Sequence, residues 1–180
     1  AQGTENSSNL IIALYDYGGQ SVFNSIHHLF LTSNGVYAVT FNMEWLLSEG
    51  PALQACFDYL DFWVNSIIVH TWDTTIMYTT SVVFVGTHKD KVKDPAEHQK
   101  ISQRIAQRYS TNDIFWPKVI ENAFEIDTKG KATELCFYPV DNTLSRSDPT
   151  MQNLLAEMDK EMNESECTNE MVPLKWLKII

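Results

Sequence analysis

Ser81-Val82-Val83-Phe84-Val85-Gly86-Thr87-His88-Lys89-Asp90 is the stretch on which the fold turns. After the leading serine the run is apolar and largely β-branched, with no polar alternation. That pattern is expected of a strand buried on both faces of a parallel sheet. The run stops at Gly86 and polar residues follow. In open α/β sheets, ligands bind beyond the carboxyl ends of the strands. A carboxylate at that position, Asp90, can accept two hydrogen bonds from a guanine edge, one from N1–H and one from the exocyclic amine. Adenine offers no such pair.

Two further stretches repeat the unit. Upstream, a hydrophobic strand from Ile11 to Tyr15 delivers Asp16-Tyr17-Gly18-Gly19-Gln20. These residue types suit a nucleoside-triphosphate switch: Asp16 to hold Mg²⁺ directly or through water, Gly19 to bring a backbone N–H to a γ-phosphate, and Gln20 to orient an attacking water. The same residues also make an ordinary glycine-rich turn. Downstream, Leu135-Cys136-Phe137-Tyr138-Pro139-Val140 ends in Asp141-Asn142-Thr143. Three strand-then-polar-loop units in one order are far harder to obtain by accident than one.

Helical patterns separate these strands, which predicts an α/β fold with a mostly parallel sheet flanked by helices. A strand is expected at 36–42, followed by a polar turn at Ser48-Glu49-Gly50-Pro51. A helix then runs from about Ala52 to Val69, with Leu53, Phe57, Leu60, Val64 and Ile67 at helical spacing. Residues 71–80 read as a loop. Asp94-Pro95 opens the next helix as N-cap and first helical residue, and it runs to Tyr109. Residues 110–133 form a long connector anchored by Phe115, Trp116 and Phe124. Asp148-Pro149 caps a last helix over 149–163, with an apolar stripe of Met151, Leu154, Leu155 and Met158. Glu161, Glu164, Glu166 and Glu170 then make an acidic linker.

The 180 residues fit one domain with a single core. A formal net charge of −10 argues against nucleic acid and against anionic membrane surfaces as partners. No apolar run reaches the roughly twenty residues of a spanning helix. Cys56, Cys136 and Cys167 are too few and too scattered for a disulfide framework or a zinc site, which favours a reducing cytoplasm. His27 and His28 are adjacent and cannot both face one ion from a helix, so they read as a half-exposed pair. Trp63 and Trp176 read as core or interface anchors.

The motifs together resemble the Roc domain, the Ras-like GTPase domain of the Roco proteins. D-Y-G-G-Q at 16–20 is similar to the family's switch-II motif, and T-H-K-D at 87–90 stands where most small GTPases have N-K-x-D. His27 to Thr32 followed by Val36 to Phe41 resembles the Roc helix and its following strand. Phe62 to Ile67 resembles the third helix. Phe137 to Thr143 sits where the last base-contacting loop belongs. Val172-Pro173-Leu174-Lys175-Trp176-Leu177 resembles the lead-in to a COR domain. The resemblance runs from about residue 10 to the C-terminus. It implies a partial Roc domain over 10–163, a leader over 1–9, and a linker toward COR over 164–180.

The resemblance also implies a site. Its nucleotide-binding residues are Asp16, Gly19, Thr87, His88, Asp90, Asn142 and Thr143, with Gln20 catalytic and Asp16 on Mg²⁺. Thr87 and His88 replace the usual Asn-Lys, and His88 either packs on the base face or caps the strand. The implied partners are GTP or GDP, an adjacent COR domain and a second copy in a homodimer. A phosphate loop, G-x-x-x-x-G-K-[ST], is absent from the sequence. Gly130-Lys131-Ala132-Thr133 is the nearest lookalike, but it lacks the earlier glycine and the preceding strand. The chain is therefore expected to be a Ras-like P-loop NTPase fold lacking its first strands, with negligible GTP affinity of its own. The strand at 10–15 is expected to pair directly with 36–42, through a right-handed crossover helix near 21–33. The alternative is a non-catalytic Ras-like interaction or dimerisation module.

Overall fold

Val82, Val83 and Phe84 are completely buried, as a run without polar alternation requires of a central parallel strand. The computed structural model describes residues 14–16, 31–32, 35–71, 80–121, 123–126, 132–144 and 148–164. In chain order the elements are strand β1 (Val36–Asn42), helices α1 (Met43–Leu47) and α2 (Pro51–Thr71), strand β2 (Ser81–Thr87), and helix α3 (Pro95–Tyr109). A 3₁₀ turn (Trp116–Lys118), strands β3 (Ala123–Ile126), β4 (Ala132–Leu135) and β5 (Tyr138–Pro139), and helix α4 (Pro149–Glu164) complete the set.

The fold is α/β. Its main sheet has the order β1-β2-β5. β1 and β2 run parallel, from Val36 opposite Ser81 to Asn42 opposite Thr87. β5 joins the other edge of β2, also parallel, through Val85–Tyr138 and Gly86–Pro139. The N-terminal part of that edge is filled by Val119 bridging Val82 and by the Ile120 N–H donating to the Val82 carbonyl at 2.9 Å. The helices start and stop where side chains satisfy their free backbone groups. Asn42 caps α1 by accepting from the Glu44 amide at 2.9 Å. Asp94 does the same for α3 through the Ala96 amide at 2.9 Å, ahead of Pro95.

The core follows from these placements. Cys56, Leu60, Val64 and Ile67 of α2 and Ile101 and Ile105 of α3 are buried with the strands. Phe84 stacks on Tyr109 with ring centroids 5.8 Å apart and meets Phe115 edge-on at 6.0 Å. Arg104 ties α3 to the α1–α2 turn by donating to the Leu46 and Ser48 carbonyls and to Glu49. No described helix is long and apolar enough to cross a membrane.

Four expectations need correction. Leu14 and Tyr15 are not in a strand, and Leu14 is 90 % exposed; among the described residues β1 pairs with β2 alone. Residues 10–13 lie outside the described residues, as does the helix expected near 21–33 up to residue 30. Leu31 and Thr32 are not helical. The run 135–140 is not one strand: Leu135 closes β4, Cys136 and Phe137 form a bend, and β5 is two residues long. Pro139 has no N–H to continue a ladder, which fits its place in an edge strand. The connector 110–133 contains β3, and β4 starts at its end; the two pair as an antiparallel ladder from Ala123–Leu135 to Ile126–Ala132. Ala132 and Thr133 of the phosphate-loop lookalike therefore open a strand, not a helix.

Candidate functional site

The register of β1, β2 and β5 brings three polar loop starts to one edge of the sheet. Asn42 ends β1, Thr87 ends β2 with His88-Lys89-Asp90 after it, and Asp141-Asn142-Thr143 follows β5. Two backbone hydrogen bonds hold the latter two loops side by side. The Val140 N–H donates to the Gly86 carbonyl at 2.8 Å, and the Lys89 N–H donates to the Val140 carbonyl at 3.3 Å. The T-H-K-D and D-N-T segments are thus neighbours.

Within the β2 loop, Thr87 donates its hydroxyl proton to the Phe41 carbonyl at 3.0 Å. Its oxygen lies 3.0 Å from His88 Nδ1. Because the single threonine proton is used on Phe41, His88 Nδ1 is the donor to Thr87, and Nε2 of the neutral ring is left as an acceptor. His88 has φ 66°, the left-handed region that a β-carbon disfavours. Its carbonyl accepts from the Lys91 and Val92 amides at 3.0 and 3.1 Å. Asp90 is half-buried in this turn. Lys91 Nζ pairs with Glu44 at 3.2 Å, and that bond holds the Glu44 carboxyl below its usual range.

The β5 loop is built on Asp141. Its Oδ1 accepts from the Thr143 amide at 2.8 Å and the Thr143 hydroxyl at 2.6 Å. These bonds favour the ionised form and keep the carboxyl below its ordinary value. Asn142 and Thr143 are exposed at the sheet edge. Thr143 has thus given its own proton to Asp141, and Asn142 is the more available side chain of the two.

Sequence reasoning passed over Lys89 and Asp148. Asp148 is buried, and it does more than cap α4. Its Oδ1 accepts from the Thr150 amide at 3.3 Å and from Lys89 Nζ at 3.4 Å, and its Oδ2 accepts from the Asp141 amide at 3.2 Å. Lys89 Nζ also donates to Thr150 Oγ1 at 2.6 Å. The Asp148-Pro149 pair signalled a helix start, but nothing local to the sequence signals a lysine 59 residues earlier.

Asp16 is exposed and lies outside regular structure. Gly19 and Gln20 lie outside the described residues, as do His27, His28, Trp176 and Cys167. Trp63 is a core residue, packed edge-on against Phe62 at 5.3 Å. No cluster of three His, Cys, Asp or Glu side chains among the described residues is arranged to hold a metal ion.

No family model and no solved structure matches the chain. Two curated proteins of Dictyostelium discoideum do. The chain is 27 % identical over 106 residues to the probable serine/threonine-protein kinase pats1, covering 58 % of this chain and 3 % of that protein. It is 24 % identical over 107 residues to the probable serine/threonine-protein kinase roco5, covering 59 % of this chain and 3 % of that protein. Over that stretch the chain is similar to both proteins, the second of which carries the name roco5. The chain spans about 3 % of the length of each of these relatives, whose names describe whole proteins.

Proposed function

We propose that this chain carries the base-recognising part of a guanine-nucleotide switch, a Roc-type GTPase domain of a Roco-type multidomain protein. The observation that carries the reading is the backbone pairing of the Thr87–Asp90 and Asp141–Thr143 loops at the carboxyl edge of the parallel sheet. Asp90 reads the guanine N1–H and exocyclic amine. His88 and Thr87 frame the base from the same loop, and Asn142 and Thr143 approach it from the other side. The Roco relationship supports the same assignment.

The phosphate end of such a site needs a loop that this sequence does not contain. In the intact switch the reaction is hydrolysis of GTP to GDP and phosphate, where positioning and electrostatics do most of the catalysis. Asp16, Gly19 and Gln20 are the residues we assign to the triphosphate side, and an adjacent COR domain is the partner we assign to the switch. The alternative reading is a non-catalytic Ras-like interaction module, and the two differ in whether the full protein carries a phosphate loop upstream.

An NMR titration separates the two. Millimolar GDP is expected to shift the amides of 87–90 and 141–143 saturably, ADP is not, and Asp90→Asn abolishes the response to GDP. Equal responses to GDP and ADP, or none to either, sink the guanine reading and leave the interaction module. Calorimetry with micromolar GTP and Mg²⁺ is expected to be silent.

A further inference from the structure

The third residue of T-H-K-D does not face the strand-end edge as a ligand contact. Lys89 turns its ammonium toward the first turn of α4, onto Thr150 Oγ1 at 2.6 Å and Asp148 Oδ1 at 3.4 Å. The Asp148 side chain is 3 % exposed and that of Lys89 21 %. Loss of Lys89 would leave the buried Asp148 carboxylate with amide donors but without its cation. The same carboxylate holds three different pieces of chain: the β2 loop through Lys89, the β5 loop through the Asp141 amide, and α4 through the Thr150 amide. The Asp148 carbonyl adds the first helical bond, from the Gln152 amide at 3.0 Å.

We infer that Lys89 and Asp148 are positioning residues that couple the two loops of the strand-end edge to helix α4. A displacement of α4 withdraws the carboxylate that Lys89 and the Asp141 amide share, and both loops loosen. Conversely, a molecule that seats between the loops fixes Lys89 and Asp141, and so fixes the first turn of α4. Such coupling is reciprocal by thermodynamic necessity. It is a property of the folded chain without ligand; its use in transmitting nucleotide occupancy rests on the reading proposed above.

Hydrogen exchange on the unliganded chain tests the coupling independently of any nucleotide. Lys89→Met is made in the β2 loop and read at the Thr150 and Gln152 amides of α4. Asp148→Asn is made at α4 and read at the Lys91 and Val92 amides, which bond to the His88 carbonyl. Each change is expected to speed exchange at the distant site about tenfold or more, with the β1–β2 ladder amides unchanged; tenfold corresponds to roughly 1.4 kcal/mol. Lys89→Arg is expected to restore most of the protection. Thr150→Val, which removes one acceptor of the Lys89 ammonium at nearly constant volume, gives a milder version should Lys89→Met fail to fold. Exchange that rises only on the element carrying the substitution overturns the proposal. If the coupling is present but GDP leaves α4 protection unchanged, the nucleotide reading fails and the coupling stands.

Discussion

A β-carbon placed on Gly86 would lie 2.7 Å from Cε2 of Phe137. It would also lie 2.7 Å from Met43 Cγ, so the strand end is wedged between the start of α1 and the bend before β5. Phe137 is fully buried and packs on Phe41 at 5.6 Å, which leaves it little room to move. Gly86→Ala is therefore expected to destabilise the fold by about 1–3 kcal/mol through overpacking. Chemical denaturation of the variant checks this, and an unchanged midpoint would show that the Phe137 bend yields freely.

His88 adopts a left-handed backbone at the same edge. Asparagine and glycine tolerate that conformation, and a β-branched residue does not. His88→Asn and His88→Gly are expected to stay within about 1 kcal/mol of the parent, and His88→Val to lose about 1–2 kcal/mol more. Thermal melts of the three variants test the ordering. A valine variant as stable as the asparagine one would remove the argument that strain is held here.

Acid stability is expected to depend on the α2–α3 contact. Partial burial of the Asp61 carboxyl pushes its pKa up, but hydrogen bonds from Arg108 and Tyr109 outweigh this and hold it below the usual value. A depressed folded-state pKa means that the stabilisation is present above the unfolded value, near 4, and is lost as pH falls through the folded one. Asp61→Asn is thus expected to lower stability at neutral pH by roughly 1 kcal/mol. It is also expected to flatten the loss between about pH 4 and the folded pKa below it. Unfolding midpoints measured from pH 7 down to pH 2 give the comparison, and parallel curves would rule Asp61 out as a source of the acid limb.

Burial pushes both the Cys56 and Cys136 thiols up to about 11. Cys136 also exchanges hydrogen bonds with Ser102, its amide accepted by the Ser102 hydroxyl at 3.0 Å. Neither thiol presents a thiolate near neutral pH. In a Cys167→Ser background, labelling by a thiol reagent at pH 8 is expected only as fast as the protein opens. Rapid modification of either cysteine in the folded protein would contradict this packing.

The parts of the fold legible in the sequence were those whose burial is total or whose ends are capped locally. β2 reads as a buried parallel strand because both of its faces are covered, and α3 is bounded by Asp94-Pro95 and Tyr109 as expected. The run 135–140 misled because apolar continuity does not distinguish a strand from a buried bend; Cys136 is held there by hydrogen bonds with Ser102, and Phe137 packs on Phe41 beside Gly86, neither being part of a ladder. β3 and β4 are four residues each, too short for periodicity to show. The two loops of the candidate site were legible from strand-end position. The Lys89–Asp148 tie was not, because it depends on a helix placed by tertiary packing.

β5 is held to the sheet by only two residue pairs, against seven for β1 and β2, and its partner β2 lies some fifty residues earlier in the chain. The β1–β2 pairing spans a similar distance along the chain, Val36 to Ser81, so loop closure costs the two about equally and the one with more residue pairs is the more rewarded. β1, α2 and β2 are therefore expected to form first, and the Asp141–Thr143 loop to be fixed once Phe137 is seated beside Gly86. During synthesis β5 and α4 leave the ribosome after β1, α2 and β2. The strand-end edge is then completed last, so a chain that has not yet paired β5 presents the Thr87–Asp90 loop without the Asp141–Thr143 loop beside it.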